Sequence, residues 1–214
     1  MSHIVETTVY QLGELSDRAK DAARAWYREA SACDDWHECV FDDFEAVCTI
    51  LGVRLKTQTV RLYGGGTRQK PCIWFSGFSS QGDGASFACA YSFATGACKA
   101  IRAHAPQDSE LHRIADALQA IQRRNFYQLR ADISQRGRYC HEYSMSIAVE
   151  RDSPNNQDMT ADAEDAIVEL LRDLARWLYR QLEREYEYQT SDAVTDEAIL
   201  ANEYTFTGEG RRFG

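Results

Sequence analysis

The sequence predicts an α+β fold, in which an antiparallel sheet of about five to seven strands is covered by several helices. Two observations indicate this class. Apolar and polar residues alternate over 126–134 and again over 139–149, as in paired strands with one buried face. Apolar residues recur at helical spacing over 162–187, which predicts a long helix in the C-terminal half. Shorter stripes of the same kind predict helices over 16–31, 34–51 and 108–124.

Composition places this chain among ordinary globular proteins. It has 214 residues, of which 44% are hydrophobic and 27% charged, and only three are prolines. Because no Pro/Ser-rich linker interrupts it, we expect a single domain over 1–214. No apolar run approaches the roughly 20 residues that span a bilayer, so we expect no membrane partner. The segment Met1–Glu6 lacks a basic and then apolar pattern, so no signal peptide is predicted.

Cysteine usage and charge bear on location and partners. The seven cysteines are odd in number and scattered, which is typical of reduced thiols in the cytoplasm. A net charge of −9 opposes binding of nucleic acid by the whole surface. It is compatible with a basic protein partner, with mimicry of a nucleic acid, or simply with an acidic surface that keeps the protein in solution.

The N-terminal half is predicted to contain a strand over 5–12, helices over 16–31 and 34–51, and a strand over 53–63. Ser16 is the expected N-cap of the first helix, and Asp34 or Asp35 that of the second. Gly52 is expected to end the second helix.

The centre of the chain is predicted to be a hairpin. Cys72–Phe78 and Phe87–Phe93 are rich in the aromatic residues that favour strands, and the segment between them contains Gly82-Asp83-Gly84. Glycines on both sides of Asp83 permit positive φ, so neighbouring N–H groups could form an anion-binding nest. The alternative is a tight polar turn without a ligand. The candidate binding residues here are Ser79, Ser80, Gln81, Gly82, Asp83 and Gly84.

The second hairpin has a predicted register. A three-residue loop, Gln135–Gly137, would place Leu129 opposite Tyr143 and Arg130 opposite the oppositely charged Glu142. Elsewhere in the C-terminal half the sequence predicts helices over 95–104 and 191–202 and an edge strand over 204–206.

Arginines cluster around the first strand of that hairpin. Basic residues interleaved with aromatic ones can bind phosphate or single-stranded nucleic acid, although Tyr127 is expected on the apolar strand face and Arg130 can pair with Glu142. The candidate residues in this region are Arg123, Arg124, Arg130 and Glu142. No catalytic residue, metal site or cofactor is predicted. His141 is expected to lie in the core, and Cys33, His37 and Cys39 lack the spacing of a zinc site.

Three segments carry a family resemblance: Ile73–Phe87 with its Ser-Gln-Gly-Asp-Gly-Ala core, Gln122–Leu129 and His141–Tyr143. The chain resembles, over nearly its whole length, an uncharacterised phage- and prophage-associated family often labelled "antitoxin of toxin–antitoxin stability system". Members often have tryptophan where Ser79 stands here. The resemblance implies a non-enzymatic protein that neutralises a protein partner, either a toxin or a host defence effector such as a CRISPR complex.

A second hypothesis comes from the residues themselves. The Gly82-Asp83-Gly84 loop, with the nearby serines and the arginines, could sequester or cleave a nucleotide-like phosphorylated molecule. A third is an interaction module of unknown role.

Overall fold

The computed structural model describes residues 6–31 and 35–214. Its helices are α1 (Asp17–Ala30), α2 (Glu38–Leu51), α3 (Ala97–His104), α4 (Ser109–Arg124), α5 (Ala163–Gln189) and α6 (Asp192–Ala201). Its strands are β1 (Val53–Leu55), β2 (Thr57–Arg61), β3 (Thr67–Pro71), β4 (Ile73–Phe75), β5 (Ala85–Phe87), β6 (Cys89–Ser92), β7 (Leu129–Gln135), β8 (Met145–Arg151), β9 (Thr205–Phe206) and β10 (Arg212–Phe213). Short 3-10 turns occupy Leu12–Glu14 and Glu142–Ser144.

The predicted α+β class and the long helix in the C-terminal half are confirmed. All strand pairs are antiparallel, and they form a four-stranded sheet in the order β1-β6-β7-β8 together with three two-stranded sheets, β2-β3, β4-β5 and β9-β10. None of the helices in the described ranges combines the length and apolarity needed to cross a membrane.

The described residues divide into two compact units, one formed by parts of 1–38 and by 184–214, the other by 39–183. The expectation of a single domain stays a prediction. In the first unit, α1 and α6 bury a small core of Leu12, Leu15, Ala19, Ala23, Ile199 and Phe206. Arg24 makes two hydrogen bonds of 2.7 Å to the Asp196 carboxylate, which joins these two helices.

The second unit contains the four-stranded sheet. One face of that sheet carries buried side chains such as Val53, Cys89 and Ile133. The apolar stripes of α2, α4 and α5 are buried in the same unit. Buried Gln122 of α4 bonds the carbonyl of Leu129 at 2.8 Å and so fixes this helix to β7. The other face, with Arg130 and Asp132 of β7, is open to solvent.

Gly52 ends α2, as predicted. It has φ of +81°, and a Cβ there would lie 2.1 Å from the Ser92 carbonyl oxygen. The Ser92 N–H in turn donates to the Gly52 carbonyl at 3.0 Å, which brings the end of α2 against β6. Only glycine permits both the left-handed conformation and this close approach.

Two predicted strands are each divided. The Lys56 N–H donates to the Ala88 carbonyl, and the Lys56 carbonyl accepts from the Cys72 N–H, both at 2.8 Å. The chain therefore changes partner at Lys56, and the predicted strand over 53–63 becomes β1 and β2. The Ala88 N–H donates to the Cys72 carbonyl at 2.9 Å, so the predicted strand over 87–93 is likewise divided, with β5 pairing with β4 and β6 joining the main sheet.

The first predicted strand is wrong in its described part. Val5 lies outside the described residues, and Glu6–Val9 form no strand. Tyr10 makes a single bridge to Phe206 of β9, and a 3-10 turn beginning at Leu12 ends any extended structure there. The second helix begins at Glu38, so Asp35 does not directly precede it as an N-cap would, and Asp34, the other expected N-cap, lies outside the described residues.

The predicted register of the second hairpin is wrong. Leu129 pairs with Arg151 rather than with Tyr143, and Ala131 pairs with Val149. The connection is not Gln135–Gly137 but the longer segment 136–144, because the 3-10 turn at Glu142–Ser144 takes those residues out of the strand. Arg130 consequently forms its ion pair with Asp152, at 2.6 Å, and not with Glu142.

Candidate binding surface

The glycine loop, Ser76–Gly84, connects β4 to β5 and is held by its own aspartate. Oδ2 of Asp83 accepts hydrogen bonds from the N–H of Ser79 at 3.0 Å and of Ser80 at 2.7 Å. These bonds, chiefly the one from Ser80, lower the pKa of Asp83. Gly82 has the expected positive φ, at 111°. Two of the amides expected to bind an external anion are therefore already bonded to a carboxylate of the loop itself.

The 3-10 turn before β8 lies directly against this loop. Nδ1 of His141 accepts from the Tyr143 N–H at 3.1 Å, and the Ser144 hydroxyl donates to the His141 carbonyl at 2.7 Å. A Cβ built on Gly84 would lie only 2.6 Å from the Cβ of His141. The prediction that His141 lies in the core is wrong, because the half-buried ring caps this turn instead of facing inward from a strand.

Helix α5 supplies the third part of the surface. Arg176 pairs with Glu142 at 3.1 Å and donates to the Tyr143 hydroxyl at 3.3 Å, which fastens the turn to the helix. The guanidinium of Arg172 lies 5.0 Å from the centre of the Tyr143 ring, within cation–π range. The sequence predicted that Glu142 pairs with Arg130, and this is wrong. Its partner is Arg176, which lies much later in the chain.

Tyr179 links α5 to the glycine loop. Its hydroxyl donates to the Gly77 carbonyl at 3.0 Å. Burial and then the nearby charge of Asp83 raise the pKa of Tyr179, which further favours the protonated hydroxyl that this bond requires. We call Ser76–Gly84, His141–Ser144, Arg172, Arg176 and Tyr179 together the glycine-loop surface.

The predicted arginine cluster does not join this surface. Arg124 pairs with Asp162 at 2.7 Å and Arg130 with Asp152 at 2.6 Å, and both ion pairs are exposed. Arg123 lies exposed in the last turn of α4. In the described part of the chain no ion pair or hydrogen bond connects these three side chains to the glycine loop. The structure therefore brings Glu142 to the loop and leaves the arginines elsewhere.

Two aromatic residues near that cluster have unusual backbones. Phe126 and Tyr127 have φ of 57° and 61°, a left-handed conformation that is rare outside glycine and asparagine. Tyr127 was expected on the apolar face of a strand, which is wrong, because β7 begins only at Leu129. The Tyr127 ring, 46% exposed, lies 4.4 Å from the Phe93 ring.

Sequence reasoning missed the residues of α5 in this surface. It used only the apolar stripe over 162–187, which identifies the buried side of the helix. The opposite side of the helix alternates acidic and basic residues. Arg176 on this side bonds Glu169 and Asp173 of the same helix and Glu142 of the 3-10 turn. That alternation indicates a polar helix face, but nothing in the sequence connects it with a turn some thirty residues earlier.

Over the described residues no cluster of three or more His, Cys, Asp or Glu side chains could hold a metal ion.

Comparisons with known proteins identify only a family. No curated protein and no solved structure matches the chain. The model of a domain of unknown function, DUF8835, matches residues 36–192, a range that includes the whole glycine-loop surface. Because this range is more than half of its length, the chain belongs to the DUF8835 family.

Proposed function

We propose that this chain is a non-enzymatic binding protein of phage or prophage type that acts in the cytoplasm. Its glycine-loop surface would bind a protein partner, either a toxin or a host defence effector such as a CRISPR complex, and neutralise it. The observation that carries the proposal is the Asp83 carboxylate, which bonds two amides of the loop and holds it in one shape without a ligand.

The composition of the surface supports a protein partner. Ser79, Ser80 and Gln81 are exposed at the loop, and Tyr143, in the turn whose His141 lies against Gly84, is 63% exposed. Tyrosine and arginine are enriched where proteins bind one another, and the arginines of α5 lie directly against Tyr143. A fixed loop flanked by an aromatic ring is suited to protein contact because little conformational entropy is lost on binding.

A nucleotide-like ligand is favoured less by this geometry. An anion in the glycine loop would have to displace Asp83 from the amides of Ser79 and Ser80. Arg124 and Arg130, which were expected to assist, are paired with carboxylates elsewhere. A thermal-shift panel of nucleotides tests this alternative, and stabilisation that is lost in Gln81→Glu, where the new carboxylate repels phosphate, but kept in Gln58→Glu would favour it.

The test of the main proposal needs a biological readout. Bacteria that carry single, defined toxins or defence systems would express the chain, and survival or phage plaque formation would be scored. We expect protection against at least one system. Gln81→Arg should abolish protection and weaken binding to the neutralised protein by about tenfold or more. Gln58→Arg is the control, since it makes the same change at an exposed position of β2. Absence of protection throughout, or equal loss in both variants, would contradict the proposal.

A further inference from the structure

Strand β8 is an unusually open edge of the four-stranded sheet. It has seven residues, whereas β1 at the other edge has three. Exposed edges can pair with another chain, and proteins usually protect them with charged side chains, proline or a bulge. β8 contains no proline and pairs with β7 without a bulge along its whole length, and its charged residues, Glu150 and Arg151, are confined to its C-terminal end.

The hydrogen bonds of the sheet show which backbone groups of β8 point outward. The Asp152 N–H donates to the Gln128 carbonyl at 2.9 Å, in the same register as the β7–β8 ladder. Bonded pairs recur at every second residue of an antiparallel ladder, so the even-numbered residues of β8 bond to β7 and the odd-numbered ones point away. Ile147 and Val149 therefore direct their N–H and C=O groups outward, where no described residue bonds to them.

We propose that β8 pairs antiparallel with β8 of a second copy of this chain, about a two-fold axis at Ala148. Ile147 of each copy would lie opposite Val149 of the other and exchange both backbone hydrogen bonds with it. The two sheets would then form one continuous sheet, which removes the open edge. This self-association goes beyond the proposed function and does not depend on it, although the two surfaces share Tyr143.

The strand is complementary to itself in this register. Ala148 is the midpoint of Met145–Arg151, so pairing about it aligns every residue of both strands. The Arg151 carbonyl already accepts from the Ser153 N–H at 3.0 Å, so the central pairs of Ile147 with Val149 would carry the backbone bonds. Axes at Ile147 or Val149 would also match the outward groups but would pair fewer residues. On the exposed face, the small side chain of Ala148 would lie opposite Ala148 of the other copy. Ser146 would lie opposite Glu150 of the other copy. No two like charges face each other in this arrangement, whereas like charges opposite each other destabilise a sheet.

The two ends of β8 also match. At the C-terminal end, Phe126 is 70% exposed, and the guanidinium of Arg151 lies 5.3 Å from its ring centre. At the N-terminal end, Tyr143 is 63% exposed beside Arg172. Antiparallel pairing brings the C-terminal end of one strand toward the N-terminal end of the other. The Phe126–Arg151 group of each copy would thus approach Tyr143 of the other, which is why a second copy is the partner that fits.

A pair of lysine substitutions tests the register. Ala148 and Ser146 are both exposed on the same face of β8, outside the glycine-loop surface. Ala148→Lys is compatible with a single chain, where Asp132 lies directly opposite it, but would bring two introduced lysines face to face across the axis. Ser146→Lys would instead place each introduced lysine opposite Glu150 of the other copy. The two variants therefore carry the same new side chain with opposite expected effects.

The measurement is the mass of the full chain in solution by analytical ultracentrifugation over about a hundredfold range of concentration. We expect a dimer, weakened by Ala148→Lys by about tenfold or more and left as tight or tighter by Ser146→Lys. Val149→Pro removes an outward N–H that the single chain does not use and should also weaken the dimer. Circular dichroism checks that each variant is folded. A wild-type monomer at every concentration, or equal effects of the two lysines, would overturn the proposal.

Discussion

Gly84 lies where no side chain fits. A Cβ there would be 2.6 Å from the Cβ and 2.8 Å from the Cα of His141, and the backbone of a capped turn cannot move away easily. We expect Gly84→Ala to lower the free energy of unfolding by about 1–3 kcal/mol, measured by urea denaturation. Gly64→Ala, where nothing lies within 4 Å, should change it by less than about 0.5 kcal/mol. Equal losses in the two variants would show that the contact with His141 is not the cause.

Asp83 has a separate effect, confined to its loop. In Asp83→Ala the amides of Ser79 and Ser80 lose their acceptor, so their hydrogen exchange should become faster while the global unfolding transition changes little. Mass-spectrometric exchange measures this, with Gln81→Ala as the control at an exposed neighbour. Unchanged exchange in Asp83→Ala would mean that other contacts hold the loop.

The same bonds predict a pH dependence of the loop. The folded pKa of Asp83 is lowered, so its carboxylate stabilises the loop fully above the unfolded pKa. This contribution is lost as the pH falls through the lowered folded pKa. The exchange protection of Ser79 and Ser80, relative to the intrinsic rate at each pH, should fall in that acid range and not near neutrality.

At the scale of single elements, one side chain at the start of α4, Asp108, accepts two hydrogen bonds. Oδ1 of Asp108 caps the helix by accepting from the Leu111 N–H at 2.9 Å, and Oδ2 accepts from Nε1 of the buried Trp177 at 2.7 Å. The sequence predicted this helix start, and the structure confirms it. The bond to Trp177 could not be predicted, because it joins two helices that are distant in the chain.

Replacing Asp108 should destabilise the protein in proportion to the bonds removed. Asp108→Ala loses the cap and leaves the Trp177 N–H unpaired, at a cost of about 2–3 kcal/mol in chemical denaturation. Asp108→Asn keeps one acceptor oxygen but turns its NH2 group toward the other N–H donor, so its loss should be smaller than that of Asp108→Ala. Equal losses in the two variants would contradict the idea that the cost follows the number of hydrogen bonds removed.

The hairpin β7–β8 shows where local rules stop being sufficient. Alternation correctly predicted that Ala131 and Ile133 face the core, since side-chain period survives any register that keeps odd residues opposite odd ones. The pairing itself was chosen by a short loop and by the charges of Arg130 and Glu142. Both clues failed because His141 and Ser144 cap a 3-10 turn, and histidine is not among the residues that usually mark a cap in a sequence.

At the scale of the whole molecule, the sequence predicted the helices well but did not predict which distant segments pack together. Stripes over 16–31, 108–124 and 162–187 predicted α1, α4 and α5 closely, because burial of one face dictates that periodicity. The glycine loop was also identified as a turn with positive φ. The residues that meet it, His141 and Arg176, come from remote segments, and their proximity depends on tertiary packing that no single-sequence pattern encodes.

The cysteines give a test of the packing as a whole. Cys48 and Cys89 are 1% and 0% exposed, and burial raises the pKa of both thiols, whereas Cys39 is exposed. Because the thiolate is the reactive form, we expect iodoacetamide to modify Cys39 in the native protein and to reach Cys48 and Cys89 only in denaturant. Peptide mass spectrometry identifies the sites. Rapid modification of Cys89 under native conditions would contradict the position of β6 inside the sheet.

The internal bonds of Asp83 also have a kinetic consequence. Under the proposed function, a loop that already has its shape needs no slow rearrangement before the partner docks, so the association rate should be limited by collision and orientation rather than by folding. Differences in affinity among variants of the loop tip should then appear mainly as changes in how long the complex persists.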